Sequence, residues 1–595
     1  MRFMTLSMVL LVGVAVNISA EQTFPGPDWE DRPNPLASEL AEPGGMFRIM
    51  AGPYPRSFNY YLENSVTAAG IFGLMFETLL SREPLSAESA PGLAHKWTVS
   101  DDKLSFTFHL DPEARWSDGQ PITAHDVLWT YDTIVDPAHL TGVHKISLER
   151  LERPEVIDDL TIRFTAKDVH WGNLLYAGGF YILPRHAYEE ADFNRLNFEF
   201  PVVSGPYRLG QVSEGARLRM ERRPDWWAET RASTEGTLNF ETIEMRFFGD
   251  RDLAFEVFRR GEFDLFAVYT AHIWVNQTSG ERFDRNWIVK QSIHNRVPRG
   301  FQGWAMNMRR PPFDDVRVRR ALAHLLNREK MNQTLMHNQY ALHRSYYEDL
   351  YSPENPNPNE LIPYDPAQAR ELLAEAGWVP NPRTGRLEKD GRPFRITFLT
   401  NSGDADKFLN IYREDLRDVG IHLQIERKDW AAWQQDMNEF NFDMTWAAWG
   451  AGLFKDPEGQ WHSREAERTG GNNITGFRDD AVDRLIEKQR EIFDVDKRHA
   501  LVRQIDQKLV EEVPYILLWN LDYTRILYWN RFGMPDHVLG KFGREDSARF
   551  LWWLDSFAEA DLRHAQEEGT SLPPRPAVVR FDESFEMDAW RPPLD

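Results

Sequence analysis

At 595 residues, with 42% hydrophobic and 27% charged residues, the chain has the make-up of a soluble globular protein of several structural units, at about 150 residues per unit. Its 69 basic against 92 acidic residues leave a net charge of −23, which argues against nucleic-acid binding, since that requires a basic face to displace counterions. The absence of cysteine excludes a disulfide scaffold, a thiol nucleophile, a zinc–thiolate site and a lipid-modified cysteine.

Residues 1–20 read as a secretory signal: Arg2 gives a positive start, residues 4–16 an apolar run, and Ile18-Ser19-Ala20 an approximate cleavage site. The run is short for a spanning helix, and no later segment approaches the ~20 apolar residues that a bilayer requires. The expected product is a freely diffusing exported protein, without a lipid anchor, in a Gram-negative periplasm. Residues 21–44 carry five prolines and little apolar periodicity, as an extended leader would.

Folded sequence is expected from Met46, with Phe47-Arg48-Ile49-Met50 as a strand. Residues 104–110 and 161–164 alternate apolar and polar, the period of half-buried strands. A helix starts near Asp315, with Val318, Ala321, Leu322, Leu325 and Leu326 on one face and Arg317, Arg319 and Arg320 expected on a solvated one. Over residues 365–377, Asp365 is a good N-cap, Pro366 fits the first helical position and Gly377 can close the helix. Residues 394–399 and 421–425 alternate again as strands, and residues 481–492 and 497–511 have helical periodicity. From about Ala560 the charged, proline-containing sequence predicts a loosely ordered tail over 561–595. Strands interspersed with helices at irregular spacing indicate mixed α/β lobes.

Catalytic signatures are missing. There is no G-x-S-x-G elbow, H-E-x-x-H pair, phosphate-binding loop or G-x-G-x-x-G turn, and the 17 histidines are scattered. The acidic pairs Asp101-Asp102, Asp314-Asp315 and Asp479-Asp480 fall where turns and helix starts are expected. No catalytic residue, metal or cofactor is therefore expected. The 21 Trp, 18 Tyr and 37 Phe stand out instead, and most of them are expected in the core. Trp446 and Trp449 are candidates for lining a cleft, because their strand runs into Gly450, where backbone can approach a ligand.

Six blocks, in order, resemble the family 5 extracellular solute-binding proteins of ABC importers, a group that includes oligopeptide-, dipeptide- and nickel-binding proteins. They are Pro91-Gly92-Leu93-Ala94 with Trp97; Trp116-Ser117-Asp118-Gly119-Gln120-Pro121-Ile122-Thr123-Ala124-His125-Asp126-Val127; Ser204-Gly205-Pro206-Tyr207; Val316-Arg317-Val318-Arg319-Arg320-Ala321-Leu322; the 364–378 helix; and Asp418-Val419-Gly420-Ile421. Length, Trp content and Asp225-Trp226-Trp227-Ala228 look most similar to the YejA-like branch, which binds peptides or peptide-like compounds.

The resemblance implies an α/β, two-lobed periplasmic-binding-protein fold (type II-like, large cluster C form) with mixed sheets flanked by helices. It places lobe one at 45–293 plus 521–560, with an extra domain at about 76–199, and lobe two at 294–520. The ligand is then expected between Asn64, Ser65, Val66 and Thr67 on one side and Ala447, Ala448, Trp449 and Gly450 on the other, pairing with both as an added strand. Oligopeptide-binding relatives carry an Asp three residues after the Trp that matches Trp449, where it pairs with the peptide amine; here that position is Gly452. Such a charge-assisted bond contributes roughly 1.5–3 kcal/mol. Either Asp456 supplies the carboxylate, although Lys455-Asp456-Pro457 also suits a turn, or the ligand has no free amine to anchor.

The expected function is a monomeric binding component that closes on a peptide-like solute and hands it to inner-membrane ABC permease subunits, with no nucleic acid involved. Alternatives within the fold are a short oligosaccharide, an opine or a metal complex as ligand. Other classes are an exported hydrolase, which needs a close pair of acids with separated pKa values, and a holdase-like chaperone.

Overall fold

The computed structural model describes residues 21–26, 31–353 and 355–585. The signal expected over residues 1–20 lies outside the described residues. Short strands with alternating apolar residues assemble into three main sheets. In an eight-stranded sheet the order is Val578–Arg580, Ile288–His294, Thr524–Trp529, Leu265–Ala267, Met46–Ala51, Thr242–Phe247, Arg217–Arg222 and Tyr207–Ser213. Met46–Ala51 runs parallel to Leu265–Ala267 and Thr242–Phe247 at its centre, and the flanking hairpins are antiparallel. Phe47, Ile243, Ile293 and Ile526 are buried on it.

A second sheet of five strands has the order His422–Arg427, Arg395–Thr400, Met444–Trp449, Phe301–Met306 and Tyr515–Leu517. The third, also of five strands, is wholly antiparallel and is built from Glu21–Phe24 and residues 94–165. The backbone passes between the eight-stranded sheet and the second sheet twice, through residues 295–300 and residues 518–523.

Local chemistry explains the helices around the second sheet. The Asp365 carboxylate accepts from the amides of Ala367 and Gln368, each at 3.0 Å, and starts Pro366–Glu375. Ala369 and Leu373 bury its inner face, and Gly377 takes a positive φ of 88° just beyond its end. The helix Val316–His324 departs from expectation at its arginines. Arg319 is 1% exposed and donates to the Glu512 and Phe313 carbonyls at 2.8 and 2.9 Å, while Arg320 reaches the Glu511 carbonyl. Arg317 reaches the Glu375 carbonyl. These cations satisfy the orphan carbonyls at the C-terminal ends of Val495–Glu512 and Pro366–Glu375, a use that a helical-wheel pattern does not show.

Both ends of the described chain also differ from expectation. The leader begins as the edge strand Glu21–Phe24, paired with 97–100, and the Phe24 ring stacks on Trp97 at 5.8 Å. The tail forms the helix Ser556–Glu568, capped by Asp555, and then the edge strand Val578–Arg580. Its prolines remove amides, yet the remaining carbonyls of Thr570, Leu572 and Pro576 accept from Trp287, Asn286 and Gln291 at 2.8–2.9 Å. Phe581, 1% exposed, anchors the end of the segment.

Candidate functional site

A cavity of about 420 Å³ lies between the eight-stranded sheet and the second sheet. Its floor is the two crossings, with Pro298, Arg299 and Gly300 from one and Trp519, Asn520 and Leu521 from the other. One wall is Ala448, Trp449 and Gly450; the opposite wall is Tyr269, Arg525 and Glu545. A smaller cavity of about 220 Å³ adjoins it, sharing Tyr269 and Glu545, and reaches the start of the helix Val66–Met75.

The strand Met444–Trp449 pairs along its whole length with Phe301–Met306. On its other side Arg395–Thr400 pairs with it only at Met444 and Thr445. Its last residues, Trp446 to Trp449, therefore keep one unpaired edge, the kind of edge that accepts an added strand. Gly300 is needed beside it, because a Cβ there would stand 1.7 Å from the Trp449 carbonyl oxygen. Alternation along the strand sends Trp446 and Trp449 to opposite faces. Trp446 donates through Nε1 to Gln302 at 3.1 Å and packs edge-on against Trp519. Trp449 donates to the Tyr515 hydroxyl at 3.1 Å and is the one of the two that lines the cavity.

On the opposite side the segment expected to pair as a strand is a helix start. Ser65 is its N-cap, accepting from the Ala68 amide at 3.2 Å, so Val66 and Thr67 are already helical. They offer free first-turn amides in place of a strand edge. Val66, 92% exposed, and Thr67 line the smaller cavity, while Asn64 lines a third one of about 330 Å³ with Tyr60, His144 and Tyr181.

Asp456 does not join the site. Its carboxylate accepts from the Glu458 amide at 3.1 Å in a turn and stands 3.7 Å from His170. His170, Asp456 and Glu458 could approach one ion. Both Glu458 oxygens, however, are held by Arg150 at 3.1 Å and Arg490 at 3.0 Å, with Arg464 against the same carboxylate. Burial and four surrounding arginines push the His170 imidazole down to about 3, so it is neutral, and burial raises Asp456. This group is an ion network between the small third-sheet unit and the second-sheet body. Near the cleft, Lys455 donates to the Gly452 carbonyl at 2.9 Å and pairs with Asp349, so a side-chain ammonium of the protein itself occupies that turn.

No sequence motif marks the arginines of the cleft. Arg525 is 2% exposed and lines the larger cavity; Arg251 and Arg549 line the smaller one. A signal existed for Arg525, which interrupts an otherwise apolar strand, Thr524–Trp529.

Residues 88–471 match the family model for bacterial extracellular solute-binding proteins, family 5, and the chain belongs to that family. The chain is 26% identical to the probable peptide-binding protein YejA of Agrobacterium fabrum over 543 residues, 84% of this chain and 88% of the relative. It is 26% identical over 520 residues to the peptidoglycan-binding protein YepA of the same organism, covering 79% of this chain and 84% of the relative. In fold it is similar to the oligopeptide-binding protein AppA of Bacillus subtilis, solved with a nonapeptide. The TM-score is 0.70 at 22% identity, over 87% of this chain and all of AppA. The fold is thus the two-lobed one expected. Among the described residues no helix is long and apolar enough to cross a membrane.

Proposed function

We propose that the protein is the periplasmic binding component of an ABC importer, which captures a peptide or peptide-like compound and delivers it to inner-membrane permease subunits. One lobe comprises residues 45–293 with the chain returning from 521; the other comprises 294–520. The lobes close as hinge-related bodies about the two crossings, and the ligand shifts the population toward the closed form. The protein acts as a monomer and catalyses nothing. The observation that carries this reading is the unpaired edge of Trp446 to Trp449 beside the cavity between the sheets. A bound backbone pairing there would be held largely independently of its side chains. The names of YejA and YepA as peptide- and peptidoglycan-binding proteins support a peptide-like ligand.

Native mass spectrometry of protein purified gently from its producing cell tests this. The expected result is one peptide-like mass per protein. Adding that ligand at 100 times its Kd should raise stability by about 2.7 kcal/mol. A sugar or opine in its place would discard the peptide, and turnover of the bound compound would discard the binding-protein reading.

A further inference from the structure

The charge of the cleft is opposite to that of the chain. The whole sequence carries −23, yet the two adjoining cavities are lined by five arginines against Glu545 and Asp546. One of these acids is already engaged, since the Glu545 carboxylate accepts the Tyr269 hydroxyl. Buried cations ordinarily have a carboxylate partner. Among the described residues Arg525 has none: its guanidinium donates to the Gln339 carbonyl and the Tyr523 hydroxyl at 3.1 Å, and its buried Nη1 has no hydrogen-bond partner. Arg251 donates to the Ala267 carbonyl and lies over the rings of Phe266 and Tyr269, with the charge of Glu545 acting on it from the same cavity.

Arg549 is the most exactingly placed of the set. Its side chain is 11% exposed and its buried Nε lacks a partner. The nearest carboxylate, Asp546, is 3.8 Å away and 62% exposed, where water screens it. The guanidinium lies against the first turns of Val66–Met75, with Nη1 at 3.4 Å from the Gly70 carbonyl. Beside it the Thr67 hydroxyl has no partner among the described residues, and the first-turn amides open the helix. Arg251, Tyr269, Glu545 and Asp546 also line this cavity, and Ile49, Met50, Met245 and Leu265 form its apolar wall.

We infer that this smaller cavity is a carboxylate-binding subsite, and that the ligand of the cleft is an acidic peptide-like compound whose side-chain or terminal carboxylate seats between Arg549 and Thr67. This rests on the reading of the protein as a peptide binder. The apolar walls would hold the methylene stem while the guanidinium, the hydroxyl and the helix amides receive the anion.

Calorimetric titration with matched tripeptides tests the inference. The probes are Ala-Glu-Ala and Ala-Gln-Ala, each with a free and an amidated C-terminus. The acidic, free-ended peptide should bind about ten- to a hundredfold more tightly than the neutral, amidated one, as one charge-assisted bond provides. Arg549→Met should erase that preference, Arg549→Lys should keep part of it, and Thr67→Val should reduce it. Equal affinity for all four peptides in the unmodified protein would overturn the subsite and leave the peptide-binding reading intact, with no need for any variant to fold. Binding of none of the four would overturn both.

Discussion

The guanidinium of Arg498 lies over the indole of Trp171, 4.0 Å from the ring centroid. Trp171 belongs to the small unit that carries the third sheet, and Arg498 to the helix Val495–Glu512 on the second-sheet body. The same indole donates to Gln489 at 3.1 Å, and its backbone amide donates to the Arg490 carbonyl at 3.0 Å. With the ion network around Glu458, this contact joins the two sides of the molecule away from the cavity between the sheets. It adds stability to the arrangement in which they touch. Trp171→Ala should therefore lower the closed population and raise the apparent Kd about tenfold, the size of one desolvated cation–π contact with a hydrogen bond. Because the chain has no cysteine, the pair Leu140→Cys and Trp430→Cys can carry dyes for energy transfer. Unchanged transfer efficiency and affinity would remove the latch role.

Trp449 and Gly300 form the edge on which a bound backbone is expected to lie. Trp449→Ala should weaken ligand binding by about ten- to a hundredfold while leaving thermal stability nearly unchanged, because the ring is only half-buried. Gly300→Ala should weaken binding and also lower stability, since its Cβ would meet the Trp449 carbonyl at 1.7 Å. Calorimetry together with thermal melts separates the two effects. Trp449→Ala binding as well as the unmodified protein would remove the edge from the site.

Glu77 makes stability depend on pH. Burial raises its carboxyl from 4.5 to about 7, although the Trp227 indole donates to it at 2.9 Å and Arg223 lies near. The folded form holds the proton more tightly than the unfolded one. Its contribution is thus complete below pH 4.5 and lost as pH rises through about 7. Glu77→Gln should flatten that slope, changing the difference in unfolding free energy between pH 4.5 and 7.5 by at most ~3 kcal/mol. Urea melts across this range provide the check, and parallel pH profiles for the two proteins would contradict the assignment.

Phe581, in the segment that follows the last strand, is buried beside His537 at 5.6 Å between rings. Phe581→Ala should cost ~3–5 kcal/mol, and truncation before residue 570 at least as much. A truncated protein with an unchanged urea midpoint would show that the segment only rests on the surface.

Much of the scaffold could be read from local sequence, because its signals lie within a few residues of one another. Asp365, Pro366 and Gly377 mark a helix in any setting, and alternation over 394–399 and 421–425 marks strands that do form. The opposite facing of Trp446 and Trp449 follows from the same period of two, since they stand three positions apart. Other features depend on distant partners. The three arginines of Val316–His324 look solvated until the ends of two other helices are placed against them. Trp171 and Arg498 are equally silent in sequence. Asn64 to Thr67 shows how a segment can be located by likeness yet differ in shape: Ser65 is a good N-cap, and that is the role it plays.

The strand Val578–Arg580 pairs in parallel with Ile288–His294, and its approach is fixed by a bond that spans 285 residues, from Gln291 to Pro576. A chain that emerges N-terminus first from a ribosome or a translocation channel thus cannot finish its largest sheet until nearly all of it has appeared. Until then the edge of Ile288–His294 is open, and the pocket for Phe581 is empty. Contacts of such long reach make assembly slow. That delay would keep the polypeptide threadable during passage and commit it to its final shape only on the far side.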